Sequence, residues 1–191
     1  RTVQEMAGSL RVGFISAFFS DHSVGRLMGG VLNQLSSLAN FDVRIWGAPS
    51  FGAPPQDQPH PERLSTRDWE GLEVIELPLD LQRAGAIVRN EKLDVLVYPE
   101  VGMQSWTYFL AFQRLAPVQC VFWGHPMSQG LPSLDYFLSS DLFELSHGQT
   151  IGETGMSDEE SSSNFPLPAG QSRHSEQLVR MEGLTTVFSR P

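Results

Sequence analysis

The sequence has little cysteine and little positive charge. Its single cysteine, Cys120, excludes a disulfide within the chain, and its position inside a short apolar run is typical of a buried, unreactive thiol. The 13 basic residues against 22 acidic ones give a net charge of -9, which argues against nucleic acid or an anionic membrane surface as a partner. No apolar run approaches the roughly 20 residues of a membrane-spanning helix. We therefore expect an intracellular protein of the cytoplasm or nucleus.

The glycines lack the spacing of a dinucleotide-binding loop. Gly13, Gly25, Gly29 and Gly30 surround the first predicted turn, but they form neither G-x-G-x-x-G nor a Walker pattern. A Rossmann-type dehydrogenase is therefore not supported.

What the sequence does contain is a regular alternation of strands and helices. Apolar runs and helical periodicity predict strands at 10–16, 41–46, 72–77, 93–98, 118–122 and 135–139, and helices at 24–38, 79–90 and 104–115. The last of these helices carries an aromatic face of Trp106, Phe109 and Phe112. This alternation predicts an α/β fold with a Rossmann-like, doubly wound, mostly parallel sheet of six or seven strands and helices on both faces.

Two segments interrupt the pattern. Prolines make residues 48–68 loop-like, and 146–172 are so rich in Gly, Ser, Pro and acidic residues that we expect a disordered insertion that is dispensable for folding. We accordingly divide the chain into a linker from an upstream region (1–9), the Rossmann-like lobe (10–145), the insertion (146–172), and the end of the lobe (173–191). Because it starts at Arg1 and stops at Pro191, we expect the chain to be part of a longer protein.

The candidate functional residues follow predicted strands. Gly124, His125 and Pro126 come directly after the continuous apolar strand 118–122, and glycine there allows a ligand or backbone to approach closely. Parallel α/β sheets bind ligands at the carboxyl ends of their strands. Glu100, after strand 93–98, belongs to the same predicted edge and could act as a base or bind a sugar hydroxyl, although a carboxylate leading into the next helix explains it equally well.

The first turn, after strand 10–16, contains Asp21 and His22. A histidine there can donate a proton to a bound hydroxyl or phosphate, or accept one. On the residues alone, a surface histidine that caps the next helix is the more common case, and Ser23 or Asp21 could also supply that cap. If His22, Glu100 and His125 converge in one crevice, their spacing still does not predict a metal site.

Several motifs in order resemble the first catalytic lobe of the family 41 glycosyltransferases, which include O-GlcNAc transferases and SPINDLY-like proteins. The resemblance covers about residues 10–144 and resumes at 172, and its motifs are LRVGFIS with Asp21-His22, Gly124-His125-Pro126 with Gly130 and Leu134-Asp135-Tyr136, and His174-Ser175-Glu176-Gln177-Leu178. Animal members have a His and an Asp in the helix before the fourth strand, where this chain has Arg89 and Ala86, so the roles of those two residues are not carried over. The sequence Pro-Glu-Val-Gly-Met at 99–103 is more similar to the bacterial and algal branch.

The resemblance implies a two-lobed GT-B enzyme that transfers N-acetylglucosamine or another hexose from a UDP-sugar to protein Ser/Thr side chains, with inversion and without a metal or other cofactor. It implies a catalytic role for His22 and substrate binding by Asp21, Arg26, Glu100, Gly124, His125 and Pro126. A second lobe would hold most of the UDP, upstream TPR-like helical repeats would present the acceptor, and this chain alone would be inactive. The alternative is a non-catalytic α/β binding module or pseudoenzyme lobe.

Overall fold

The computed structural model describes residues 8–19, 22–49, 72–144 and 171–186. Asp21, most of the predicted loop 48–68 and nearly all of the predicted insertion 146–172 lie outside these residues, so the structure does not test the expectations placed on them. The division of the chain into segments likewise stays a prediction.

The described residues form strands and helices that alternate as the sequence predicts. The strands are β1 (Leu10–Ser16), β2 (Phe41–Gly47), β3 (Val74–Glu76), β4 (Val95–Tyr98), β5 (Val118–Phe122), β6 (Tyr136–Ser140) and β7 (Gln177–Met181). The helices are α1 (Ser23–Ser37), α2 (Leu81–Asn90) and α3 (Ser105–Ala111), and a short 3-10 turn spans Gln171–Arg173. In the part of the chain covered by the structure, no helix is long and apolar enough to cross a membrane.

All seven strands pair in parallel in the order β3-β2-β1-β4-β5-β6-β7. The predicted α/β, Rossmann-like sheet is therefore confirmed, with β5 inside it as expected. β7 has no counterpart among the predicted strands, because its half-buried sequence QLVRM has no continuous apolar run. The order reverses between β1 and β4, so this pair is the topological switch point at which open α/β sheets bind ligands.

Side chains alternate between the two faces of the sheet and form a core on each. Ile15 and Tyr98 pack on the face covered by α2 and α3. Phe14 and Cys120 pack on the face covered by α1. Helices therefore cover both faces, as predicted. Burial raises the pKa of the Cys120 thiol to about 12, which agrees with an unreactive cysteine.

Helix α3 differs from its prediction in length and in orientation. It ends at Ala111 rather than at residue 115, and Trp106 is 2% exposed whereas Phe109 and Phe112 are 55% and 54% exposed. The predicted aromatic face is therefore split, because the helix buries the row of Trp106, Thr107 and Leu110.

A buried glutamine in β5 fixes the turns on both sides of this strand. Gln119 is fully buried, and its Oε1 accepts hydrogen bonds from the backbone N–H groups of Leu115 (2.7 Å) and Ala116 (3.3 Å). Its Nε2 donates to the carbonyl oxygens of Gln113 (3.1 Å) and Ser133 (2.8 Å). The amide thus satisfies four backbone groups that would otherwise be buried without partners.

We expect Gln119→Leu to lower the free energy of unfolding by about 3 kcal/mol or more, because leucine fills a similar volume but leaves these backbone groups unpaired. Urea denaturation measures the loss. The control is Gln82→Leu on the exposed side of α2, which should change stability by about 0.5 kcal/mol at most. Equal stability of the two variants would show that the Gln119 bonds contribute little.

Candidate functional site

Glu100 connects the two strands of the switch point. It follows β4 and is fully buried, yet its partners belong to the end of β1. The Ser16 hydroxyl donates to Glu100 Oε2 at 2.6 Å, and the Ala17 backbone N–H donates to Oε1 at 3.3 Å. A single side chain therefore holds together the two loops that flank the ligand-binding crevice of this fold class.

Burial controls the charge of Glu100. Removal from water raises its pKa to about 8, although the hydrogen bonds from Ser16 and Ala17 act in the opposite direction. Near neutral pH the carboxyl therefore carries its proton. In that state it is a poor base, and it works instead as a hydrogen-bonding link within the site.

Ser16 also connects Glu100 with His22, through Phe18. Ser16 Oγ accepts a hydrogen bond from the Phe18 backbone N–H at 2.9 Å. The Phe18 ring packs on the His22 imidazole, with 4.4 Å between ring centroids and 30° between their planes. Glu100 and His22 are thus joined through Ser16 and Phe18.

His22 itself caps α1. Its Nδ1 accepts a hydrogen bond from the Val24 backbone N–H at 3.2 Å, and Ser23 is the first helical residue, so the predicted cap by Ser23 is wrong. An N–H group can donate only to a ring nitrogen that has a free lone pair. His22 therefore carries its hydrogen on Nε2, and the imidazole offers a donor there.

Gly124 brings the loop after β5 against the loop after β4. A Cβ at this position would clash with the carbonyl oxygen of Pro99 and would lie 3.7 Å from Glu100 Cβ. This close backbone approach is the reason the position requires glycine. The loops that carry Gly124 and Glu100 therefore lie against each other.

His125 is held against the same β4 loop by Gln129. Gln129 Nε2 lies 3.3 Å from His125 Nδ1 and also donates to the Met127 carbonyl. Gly102, with φ of +94°, leaves room for both side chains, because a Cβ there would lie 2.9 Å from Gln129 Oε1 and 3.4 Å from His125 Cε1.

The remaining predicted residues are less closely tied to this arrangement. Arg26 is exposed in α1, where its backbone N–H donates to the His22 carbonyl at 3.0 Å, and Pro126 is exposed. Sequence reasoning missed Ser16, Gln129 and Glu176, whose partners are distant in sequence. Within residues 8–19, 22–49, 72–144 and 171–186, no group of three His, Cys, Asp or Glu side chains could hold a metal ion.

The structure is similar to a mutant of the O-GlcNAc transferase of Thermobaculum terrenum. The match covers 91% of this chain with a TM-score of 0.61 and 17% sequence identity, and this chain spans 28% of the length of that protein. No family model matches, and no curated protein matches. At this identity the similarity shows the fold alone, and that fold is α/β and Rossmann-like.

The buried Glu100 predicts a pH-dependent stability. Its pKa rises from 4.5 in the unfolded chain to about 8 in the folded one, so the folded state binds the extra proton between these values. The contribution is fully present below the lower pKa and is lost as the pH rises through 8, with a slope of at most about 1.4 kcal/mol per pH unit. Glu100→Gln should remove this slope, because its amide oxygen can accept from the Ala17 N–H, its nitrogen can donate to Ser16 Oγ, and it does not ionise.

Urea denaturation at several pH values between 5 and 8.5 tests this expectation. Glu73→Gln, at an exposed position before β3, is the control and should keep the slope of the unmodified chain. The same slope in the Glu100→Gln chain would contradict the assignment of the proton to Glu100.

Proposed function

We propose that this chain is the acceptor-side lobe of a protein glycosyltransferase. The observation that carries the proposal is that, in a glycosyltransferase-like Rossmann fold, the switch-point residues Ser16 and Glu100 link to His22 on one side and pack against Gly124 on the other. The reaction is transfer of N-acetylglucosamine or another hexose from a UDP-sugar to a protein Ser or Thr hydroxyl. The chain is inactive alone and needs a second lobe for UDP, and upstream helical repeats present the acceptor.

The chemistry of the crevice suits ligands rich in oxygen. His22 offers an Nε2–H donor, since the Val24 N–H occupies its Nδ1. Glu100 is fully buried, so its hydrogen bonds are to Ser16 and Ala17 rather than to a ligand. Sugar hydroxyls and phosphate oxygens accept hydrogen bonds, so the His22 donor favours this class of ligand.

In the proposed reaction the acceptor hydroxyl oxygen forms a bond to the anomeric carbon while the bond from that carbon to the UDP phosphate oxygen breaks, and the hydroxyl proton passes to a phosphate oxygen of the departing UDP. Attack from the opposite side inverts the configuration at the carbon. His22 donates a hydrogen bond from Nε2 to the bound sugar or acceptor and holds it for this attack. With Nδ1 engaged by the helix, His22 is a positioning donor in direct contact with substrate and not the general base.

The experiment compares His22→Ala with His22→Asn in a two-lobed protein that contains this chain. Asparagine is a good helix cap, so it replaces the Nδ1 bond to α1 but not the imidazole donor, whereas alanine removes both. We expect both variants to lose about ten- to a hundredfold in kcat, below the upper range of a general base. Only His22→Ala should lose stability, by about 1 kcal/mol.

Lys92→Ala is the control for transfer, because this exposed residue lies at the amino edge of the sheet, before β4. It should keep full activity. Unchanged kcat in both His22 variants would contradict the role of His22. Micromolar affinity of the isolated chain for UDP would show that the nucleotide belongs to this lobe rather than to the second one.

A further inference from the structure

A buried carboxylate outside the switch point holds the loop that carries His125. Glu176 lies just before β7 and is 2% exposed. Its Oε2 accepts a hydrogen bond from the Ser128 hydroxyl at 2.8 Å, and its Oε1 accepts one from the Gln129 backbone N–H at 2.9 Å. Both donors belong to the loop between β5 and β6, 47 or 48 residues away in sequence.

Further bonds fix Glu176 in place. The Gln171 side chain makes two hydrogen bonds to the backbone at and after Glu176. Its Nε2 donates to the Glu176 carbonyl at 2.6 Å, and its Oε1 accepts from the Leu178 N–H at 2.7 Å. Ser175 also forms hydrogen bonds with the loop. Its backbone N–H donates to Ser128 Oγ (2.9 Å), and its Oγ accepts from the Gly130 N–H (3.1 Å). The segment before β7 therefore anchors the loop at several consecutive residues.

The anchored Gln129 determines the state of His125. The Met127 carbonyl can only accept a hydrogen bond, so the Gln129 amide must turn its NH₂ group toward it. The same NH₂ group faces His125 Nδ1 at 3.3 Å, and Nδ1 must then be the acceptor. His125 accordingly carries its hydrogen on Nε2, as His22 does.

We propose that Glu176 and Gln129 are a positioning pair for His125. Glu176 holds the Gln129 backbone, and the Gln129 side chain keeps His125 as an Nε2–H donor to an oxygen of the bound ligand. The assignment rests on the proposed function only for the identity of that ligand. Two donors of the same kind, His22 and His125, would then flank the crevice.

Nuclear magnetic resonance of the chain labelled with ¹⁵N-histidine tests the pair without any substrate. In the unmodified chain we expect His125 to show an unprotonated Nδ1 and a protonated Nε2. Glu176→Ala should mix the two tautomers and speed hydrogen exchange of the Gln129 amide about tenfold, as loss of one buried hydrogen bond requires. Glu176→Gln should preserve both properties, because its amide oxygen accepts from the Gln129 N–H and its nitrogen donates to Ser128.

Glu144→Gln is the matched control. Glu144 is also a buried carboxylate beside the same segment, but its partners are Arg173, with which it forms an ion pair at 3.4 Å, and His174 Nε2 at 3.5 Å. The Glu144→Gln variant should leave the His125 tautomer unchanged. Gln129→Leu provides a second variant should Glu176→Ala fail to fold, and it should also mix the His125 tautomers.

Three results would overturn the proposal: an Nδ1–H tautomer in the unmodified chain, an unchanged His125 signal in folded Glu176→Ala, or an unchanged signal in folded Gln129→Leu. The expected His125 signals in a protein that transfers no sugar would support the positioning pair and contradict the proposed function. The two hypotheses therefore fail separately.

Discussion

The hydrogen bond between the Ser16 hydroxyl and Glu100 is the contact on which the arrangement of the site depends. It joins β1 to the loop after β4, across the point where the strand order of the sheet reverses. Ser16 also accepts the Phe18 N–H, and Phe18 packs on His22. A change at Glu100 would therefore reach His22 without any direct contact between the two side chains.

Two glycines allow the loop after β5 to pack against the loop that carries Glu100. Gly124 lets the loop after β5 lie against the Pro99 carbonyl, and Gly102 makes room for Gln129 and His125. A Cβ at Gly124 would push these loops apart, whereas a side chain at Gly102 would strain its left-handed backbone and crowd the Gln129 amide. The loops at this edge are thus joined on one side by a buried hydrogen bond and on the other by close backbone packing.

These contacts give the site a common chemical character. In each histidine Nδ1 accepts a hydrogen bond from a fixed donor, the Val24 N–H for His22 and the Gln129 amide for His125. Glu100 keeps its proton near neutral pH because it is buried. The two histidines are therefore arranged to donate hydrogen bonds from Nε2 to oxygen atoms, and the buried Glu100 holds the adjoining loops together through Ser16 and Ala17.

Local sequence was sufficient for six of the seven strands of the described sheet, and insufficient for β7 and for the contacts within the site. The run 118–122 predicts β5 with its observed ends, because four of its five residues are apolar, as is typical of a strand buried in the sheet. Glu100 is also placed at the expected edge, but its partner Ser16 is 84 residues away, so no local pattern reveals the bond or the burial that raises its pKa. Glu176 belongs to a motif that the sequence analysis singles out, but its bond to Gln129 could not be predicted, for the same reason. Tertiary packing decides that Phe109 and Phe112 are exposed.

The most direct measurement is a crystal structure of the two-lobed protein with a UDP-sugar and a Ser- or Thr-containing acceptor peptide. The account predicts that the sugar and the peptide hydroxyl lie between the loops after β1, β4 and β5, within hydrogen-bond distance of Nε2 of His22 and His125. A ligand at the amino edge of the sheet, in the open pocket lined by Arg89, Lys92 and Arg114, would contradict it.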